Sequence, residues 1–512
     1  MNKLALRRIE NYHFTEDQRR NLQTSGAAGF RNDGWEIVIG LEVHAQISTK
    51  SKLFSESPTD FGSDPNSQVS FYDAAMPGTL PVLNGAAVDL AIKTGLSING
   101  TINKISQFDR KNYFYPDLPA GYQISQLYFP IISNGYIDIE LADTTRSLKR
   151  INIERIHIEQ DAGKSNHDLS ADFSYIDLNR AGIPLMEIVS KPDMRSSTEA
   201  IQYVKKLRTI LRYIETCDCN MEKGNLRIDA NISIRKSGDP LGNRVEIKNI
   251  NSIKFLGQAL DYEAERQIAA REHGEEVAQE TRLFDAGAGM TRSMRIKENF
   301  ADYRYFPDPD LKHLVLTDER IDKIRRELPE LPDAKKARFV EKYDLSESDA
   351  TVLTEDRIMA QYFEKAVTAS KFKGSSKLIA NWVIGELFAF LNKTGQNIYD
   401  IKFPIEYIGE LVDLILDKTI SGNIAKSVFA KMVEINESPS KIVADQGLAQ
   451  IRDDSLIKTI AEDIIKNNPN QVAEYKSGKK QLFGFFVGQC MKALQGKGNP
   501  EMINEILKAM LD

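Results

Sequence analysis

Residues 155–191 read R-I-H-I-E-Q-D-A-G-K-S, then a polar turn, then Y-I-D-L-N-R-A-G-I-P-L-M-E-I-V-S-K. Side chains alternate along an extended chain, so Arg155, His157, Glu159 and Asp161 fall on one side and Ile156 and Ile158 on the other. The second part sets Asp177, Asn179 and Arg180 about a turn marked by Gly182 and Pro184, then re-enters an apolar run that ends in Glu187. An edge strand with one solvated face would show the same alternation. Recurrence elsewhere in the chain separates the two readings.

From Trp35 the chain reads W-E-I-V-I-G-L-E-V-H-A-Q-I-S. Ile37, Ile39, Leu41, Val43, Ala45 and Ile47 share one register, and Val38, Gly40, Glu42, His44 and Gln46 share the other. Glu42 and His44 project side by side. Such a pair can share a divalent cation, Mg²⁺ or Mn²⁺ where oxygen donors dominate, or simply a hydrogen bond. Two later stretches repeat the arrangement. Arg227, Asp229, Asn231 and Ser233 face away from Leu226, Ile228, Ala230, Ile232 and Ile234, and Arg244, Glu246 and Lys248 face away from Val245 and Ile247. Four such strands predict an α+β fold: a mainly antiparallel sheet with its apolar face on helices and its polar face lining a cleft.

The rest of the chain fixes the surroundings. Helical spacing covers Gly85–Leu96, Ser196–Cys217 and residues 252–273. In F-D-R-K-N-Y-F-Y-P-D, Phe108 to Asp117, Arg110 and Lys111 lie among aromatic residues, either as a phosphate-gripping or base-stacking surface or as a packed hairpin. Arg282, Arg292 and Arg295 are further phosphate candidates, because guanidinium forks match phosphate geometry. Neither a Walker A loop nor a Rossmann fingerprint is present. Three cysteines, Cys217, Cys219 and Cys490, are too few for a disulfide framework and fit a reducing compartment. No apolar run approaches the roughly 20 residues that span a bilayer. The net charge of −6 leaves nucleic-acid contact to local basic patches.

At 512 residues the chain predicts about three domains. An N-terminal extension covers 1–34, and its Glu10, Glu16 and Asp17 argue against an organelle presequence. The cradle with its polar cleft covers 35–328, an all-helical domain 329–402, and a helical tail domain 403–512. In the tail Lys476, Lys479, Lys480, Lys492 and Lys497 alternate with Phe483, Phe485 and Phe486, a modest nucleic-acid signal.

Taken together, I-G-L-E-V-H, F-D-R-K-N-Y-F-Y-P-D, H-I-E-Q-D-A-G-K, D-L-N-R-A-G-I-P-L-M-E-I-V-S, M-E-K-G-N-L-R-I-D-A-N-I-S, V-E-I-K-N-I-N-S and D-Y-R-Y-F-P-D-P-D-L resemble, in order, the B-subunit family of the bacterial and organellar aspartyl/glutamyl-tRNA amidotransferases. The likeness runs from about Trp35 to the C-terminus. It implies that ATP phosphorylates the side-chain carboxylate of Glu or Asp mischarged on tRNA. Ammonia from a glutaminase (amidase) A subunit then displaces the phosphate, with a small C subunit strapping the two together and the helical domains holding aminoacylated tRNA. Carried onto this chain, it places Mg²⁺ at Glu42, His44 and Glu159, with Asp161, Asp229 and Glu246 as a second line, and sets Lys111 and Arg180 on phosphate or carboxylate. Many family members bind zinc through cysteine pairs in an early loop. Here those positions read Ser55, Ser57, Ser70 and Asp73, so no zinc is expected. The alternative is a non-catalytic tRNA-binding and assembly subunit whose cleft is a relic. A bacterial cytoplasm is expected over an organelle matrix.

Overall fold

The computed structural model describes residues 34–141, 147–296, 303–396, 398–450, 454–494 and 497–511. The expected N-terminal extension lies outside them except for Gly34. Packing divides the chain after Leu331 into two compact units.

In the first unit the alternating stretches become β1 (Trp35–Gln46), β4 (Leu148–Gln160), β5 (Pro184–Ser190), β6 (Leu226–Lys236) and β7 (Val245–Ile250), with β8 (Glu280–Asp285) and β9 (Met290–Ile296) following. They order as β9-β8-β7-β6-β1-β5-β4 in one sheet that continues into two short strands, Ile132–Ser133 and Thr101–Ile102. Neighbours in this order run antiparallel except β7 and β8. A smaller sheet pairs β2 (Asp109–Asn112) with β3 (Tyr122–Ser125) and with Phe306–Pro307.

Three helices share the sheet's apolar core: α1 (Gly85–Ser97), α2 (Ser197–Tyr213) and α3 (Ile253–Glu272). Ile39, Leu41 and Val43 of β1 and Ile228 and Ile232 of β6 belong to one buried cluster with Val88 and Ile92, with Tyr203, Val204 and Leu207, and with Leu256 and Leu260. Each such aliphatic side chain stabilises the fold by about 1.5–3 kcal/mol. Ser196 caps α2 by accepting from Glu199 N, and Ser252 caps α3 by accepting from Phe255 N. Helix α2 stops short of the expected Cys217 because Glu215 turns left-handed at φ 59°.

A bulge on β4 decides which way its side chains point. Val189 and Ser190 pair with Arg155 and Ile153, so Glu154 is the extra residue. Before it the odd-numbered Ile151 and Ile153 are buried, and after it the even-numbered Ile156 and Ile158. The phase change turns Arg155, His157 and Glu159 onto the face that carries Glu42 and His44.

The early loop closes around Asp73. Its carboxylate accepts from Lys52 Nζ at 3.2 Å, Ser55 Oγ at 3.0 Å, and Ser70 N and Oγ at 2.9 Å each. Lys52 is completely buried, and its Nζ also donates to Leu178 O. Gly182 is required here: its φ is +83°, and a Cβ would come within 2.9 Å of Asp73 Oδ1.

The second unit is helical. Its larger buried cluster unites Phe339, Phe363, Ile379 and Trp382 with Phe403, Ile408, Leu411, Phe429 and Val443. The expected boundary at 402/403 therefore falls inside a shared core: the Lys402-Phe-Pro break turns the chain, and Phe403 packs back onto Phe429. Between the helices Ser376–Trp382 and Phe388–Thr394 the chain passes through a π turn at Val383–Leu387. A separate cluster gathers Ile457, Ala461, Tyr475, Phe486, Cys490, Ile503 and Leu507. Phe486 lies in that core and Phe483 and Phe485 pack against it, so the aromatic residues of the basic stretch serve packing. Among the described residues no helix is long and apolar enough to cross a membrane.

The Asp73 hub yields a stability test. Asp73→Ala strands a buried ammonium and should lower stability by about 3–5 kcal/mol, whereas Lys52→Met combined with Asp73→Leu should lie much closer to wild type. Thermal unfolding of both variants distinguishes the outcomes.

Candidate active site

Strand register sets the site out as rows across the sheet. Arg227 of β6, His44 of β1, Glu187 of β5 and His157 of β4 are successive cross-strand partners, and Asp229 and Glu42 form the next row. Opposite residues share a face, so these side chains converge on one polar surface.

There two imidazoles and two carboxylates close a ring. His44 Nε2 lies 3.4 Å from Glu187 Oε2 and 3.8 Å from Glu159 Oε1. His157 Nε2 lies 3.2 Å from Glu187 Oε2 and 3.5 Å from Glu159 Oε2. Ser125 Oγ donates to Glu159 from β3 at 3.2 Å. Beside the ring, Asn231 Nδ2 donates to Glu42 at 2.9 Å, and Lys248 Nζ spans Asp229 at 2.6 Å and Glu246 at 3.1 Å. Lys111 Nζ stands 5.0 Å from the centre of the Tyr303 ring and 5.7 Å from that of Tyr113. Glu42, His44, Lys111, Arg155, His157, Glu159, Glu187, Asp229, Glu246, Lys248 and Tyr305 all line one cavity of about 230 Å³.

Burial and charge pull against each other in this cavity. Burial disfavours the imidazolium of His157, yet Glu187 and Glu159 outweigh it and lift the group to about 9. His44 is raised by the same contest. Burial likewise works against the ionised forms of Glu159 and Glu187, but the histidines hold both below the ordinary carboxylate value, Glu187 well below it. Glu42 moves up, through burial first and then the charges of Glu187 and Glu246.

The ring fits a divalent cation. His44, Glu159 and Glu187 each offer a ligand atom, all within 4.8 Å of one another. Two carboxylates with two imidazolium groups sum to zero, as do two carboxylates, two neutral imidazoles and one divalent ion, so a cation can replace two protons without changing the charge. The Nδ1 of His157 is buried and unpartnered, a donor set still incomplete on its far side.

Of the residues expected at the site, Glu42, His44, Lys111, Glu159, Asp229 and Glu246 line the cavity. The others are held elsewhere. Arg180 donates to the carbonyls of Ala162 and Gly163, in the neighbouring H-I-E-Q-D-A-G-K motif, and stands 3.4 Å from Asp161. Asp161 also pairs with Arg227 at 3.0 Å and faces a different pocket. Arg282 is buried against Glu263, Glu280 and Thr291. Arg292 is exposed and pairs with Asp285 at the tip of the β8–β9 hairpin, and the Arg295 side chain lies outside the described residues. Glu187 was not among the expected ligands. Its signal was a lone carboxylate inside the otherwise apolar P-L-M-E-I-V strand. Lys248 lines the cavity from the polar face that alternation assigned it, and Tyr305 joins through a returning loop, which alternation does not reveal.

A four-membered imidazole–carboxylate ring with lysines beside it, on one face of an antiparallel sheet, makes a polar cavity whose chemistry suits charged ligands. Residues 37–322 match the family model of the GatB/GatE catalytic domain, and residues 361–511 match that of the GatB domain. The chain belongs to this family. It is 55% identical to the B subunit of the aspartyl/glutamyl-tRNA(Asn/Gln) amidotransferase of Rickettsia rickettsii strain Sheila Smith over 93% of its length and 98% of that protein. The protein of the same name from Granulibacter bethesdensis is 55% identical over 95% and 99%, and that of Rickettsia bellii 54% identical over 93% and 98%.

The placement of Arg282 makes a prediction. Burial would raise the Glu263 carboxyl, but Arg266 and Arg282 hold it below its ordinary value of 4.5. A depressed folded-state value contributes stability that is present above about pH 4.5 and lost as pH falls through the folded value. Glu263→Gln should therefore lose about 3–5 kcal/mol at pH 7. The gap from wild type should narrow as the solution is acidified below that point, as denaturant titrations at several pH values would record.

Proposed function

We propose that this chain is the B subunit of a tRNA-dependent amidotransferase and that the polar cavity of its cradle domain is the kinase and transfer site. There ATP phosphorylates the side-chain carboxylate of Glu-tRNA(Gln) or Asp-tRNA(Asn), and ammonia from a glutaminase subunit converts the acyl phosphate to the amide. The observation that carries the reading is the His44–Glu187–His157–Glu159 ring, set beside Lys111 and Lys248, in a chain 55% identical over most of its length to proteins named for that activity.

The reaction balances simply. An oxygen of the acceptor carboxylate bonds to the γ-phosphorus as the bond to ADP breaks; ammonia nitrogen then bonds to the acyl carbon, inorganic phosphate leaves, and the nitrogen loses a proton. Such chemistry asks the protein for placement and charge compensation and little covalent participation. His44, Glu159 and Glu187, with Glu42 beside them, would hold Mg²⁺, which when bound neutralises charge on the nucleotide phosphates. Lys111 supplies a cation whose described contacts are aromatic faces, so it is available to phosphate. Lys248, fixed by Asp229 and Glu246, keeps those carboxylates from repelling the incoming anions. The standing of Arg180, Arg282 and Arg292 on carbonyls and carboxylates supports leaving them out of the phosphate set.

A glutaminase A subunit and a small C subunit complete the assembly in this reading, aminoacylated tRNA is the polymer substrate, and the cytoplasm supplies it. The test is ammonium-supported, ATP-dependent conversion of Glu-tRNA to Gln-tRNA by the assembled enzyme. Glu187→Ala and His44→Ala should each lower it by roughly 10²-fold or more while glutamine hydrolysis by the partner stays intact. Activity within about twofold of wild type in both would remove the kinase site from this cavity and favour the assembly-subunit alternative.

The last helical cluster is proposed to hold tRNA, on the support of its exposed lysines. Deleting residues 454–512, which leaves the larger helical core intact, should raise KM for aminoacyl-tRNA with little change in KM for ATP. Equal rises in both would count against a separate tRNA-holding segment.

A further inference from the structure

The cavity contains a guanidinium whose part the reaction described above leaves unassigned. Arg155 sits on β4 two residues before His157, turned to the polar face by the bulge at Glu154. Were the same residues paired without a bulge, the alternation of Ile151 and Ile153 would carry on, and position 155 would point into the core. The bulge thus places a guanidinium beside the ring where a continuous strand would have placed an aliphatic side chain.

Apart from Lys111, the charged groups around it in the cavity are already engaged. Lys248 is held by Asp229 and Glu246, His44 and His157 by Glu159 and Glu187, and Glu42 by Asn231. Arg155 differs. Its described ion pair joins Nη1 to the adjacent Glu154 at 3.0 Å, and Glu154 is about half exposed. Such a pair between chain neighbours at a surface contributes little. The Nε of Arg155 is buried and has no hydrogen-bond partner. A buried donor left unmatched is unfavourable, and a guanidinium presents donors in a planar fork that fits oxyanions.

Resting on the kinase reading above, we propose that Arg155 grips the phosphoryl group during its transfer from ATP to the acceptor carboxylate, with its guanidinium fork on the phosphoryl oxygens. The fork adds to Lys111 a directional contact that a point charge does not supply. In phosphoryl transfer the charge spreads over the three equatorial oxygens, and an arginine placed on them acts most strongly in the transition state.

The experiment uses the assembled amidotransferase with ammonium as nitrogen donor. Arg155→Ala should lower kcat by roughly 10²–10³-fold and raise KM for ATP. KM for aminoacyl-tRNA, glutamine hydrolysis by the partner and the thermal midpoint should stay at wild-type values. Added guanidinium ion should restore part of the lost rate in Arg155→Ala and none in Glu187→Ala, a rescue that a structural role would not produce. Arg155→Lys should remain well below wild type, because it keeps the charge and loses the fork. Where Arg155→Ala does not fold, Arg155→Gln takes its place. Wild-type kcat and KM for ATP in the neutral variant overturn the assignment, and so does a rise confined to KM for aminoacyl-tRNA. Glu187→Ala, measured alongside, separates the two claims. If Glu187→Ala is inactive and Arg155→Ala is fully active, Arg155 alone is wrongly placed; if Glu187→Ala is fully active, the kinase reading falls and this assignment with it.

Discussion

Two imidazoles and two carboxylates cannot be left facing apolar surroundings without compensating one another, and the ring of His44, Glu187, His157 and Glu159 is the compensation. Three strands must meet in one register for it to close. A one-residue slip of β5 against β1 or β4 would send Glu187 to the helix-packed side of the sheet and strand both histidines. The antiparallel order β1-β5-β4, the bulge at Glu154 and the apolar face beneath are therefore tied to a single electrostatic requirement. The core formed by α2 and α3 supplies the stability, while the ring selects the register in which that core can form.

Much of this was legible in the residues. Strict alternation in Trp35–Gln46 and Leu226–Lys236 identified strands and their faces, because a half-buried strand leaves a period of two. The helix at Gly85–Ser97 came within a residue of the helical spacing. Long-range pairing was less legible. Glu187 reads as the polar end of an apolar run until β5 is placed between β1 and β4, and only then does it stand between two histidines. The core across Phe403 was hidden for a related reason. Lys402-Phe-Pro carries the composition of a domain break, but a proline that turns the chain is equally consistent with two helices folding back on one core.

The arginines show where residue type stops being informative. Arg155, Arg180 and Arg282 all occur in polar, motif-like sequence, and each presents the same fork. Arg282 meets a carboxylate on α3, nineteen residues back along the chain at Glu263, and is buried in a network. Arg180 meets the carbonyls of Ala162 and Gly163 in another motif. Neither partner leaves a trace at the arginine's own position. Whether a guanidinium supports the fold or remains available to a ligand depends on acceptors contributed by other elements, and those become visible only when the strands are paired.

The two polar centres of the first unit carry this argument one step further. Around Asp73 the donors converge on its carboxylate, Lys52 is completely buried, and the partners satisfy one another. The ring is balanced in charge but not in hydrogen bonding: His157 Nδ1 and Arg155 Nε are buried without partners, and both residues line a cavity with further ionisable groups. A polar network that serves only folding gains from closing completely, because each unmatched buried group subtracts from stability. Retaining unmatched donors in residues that line a charged cavity sets this centre apart from the closed hub at Asp73.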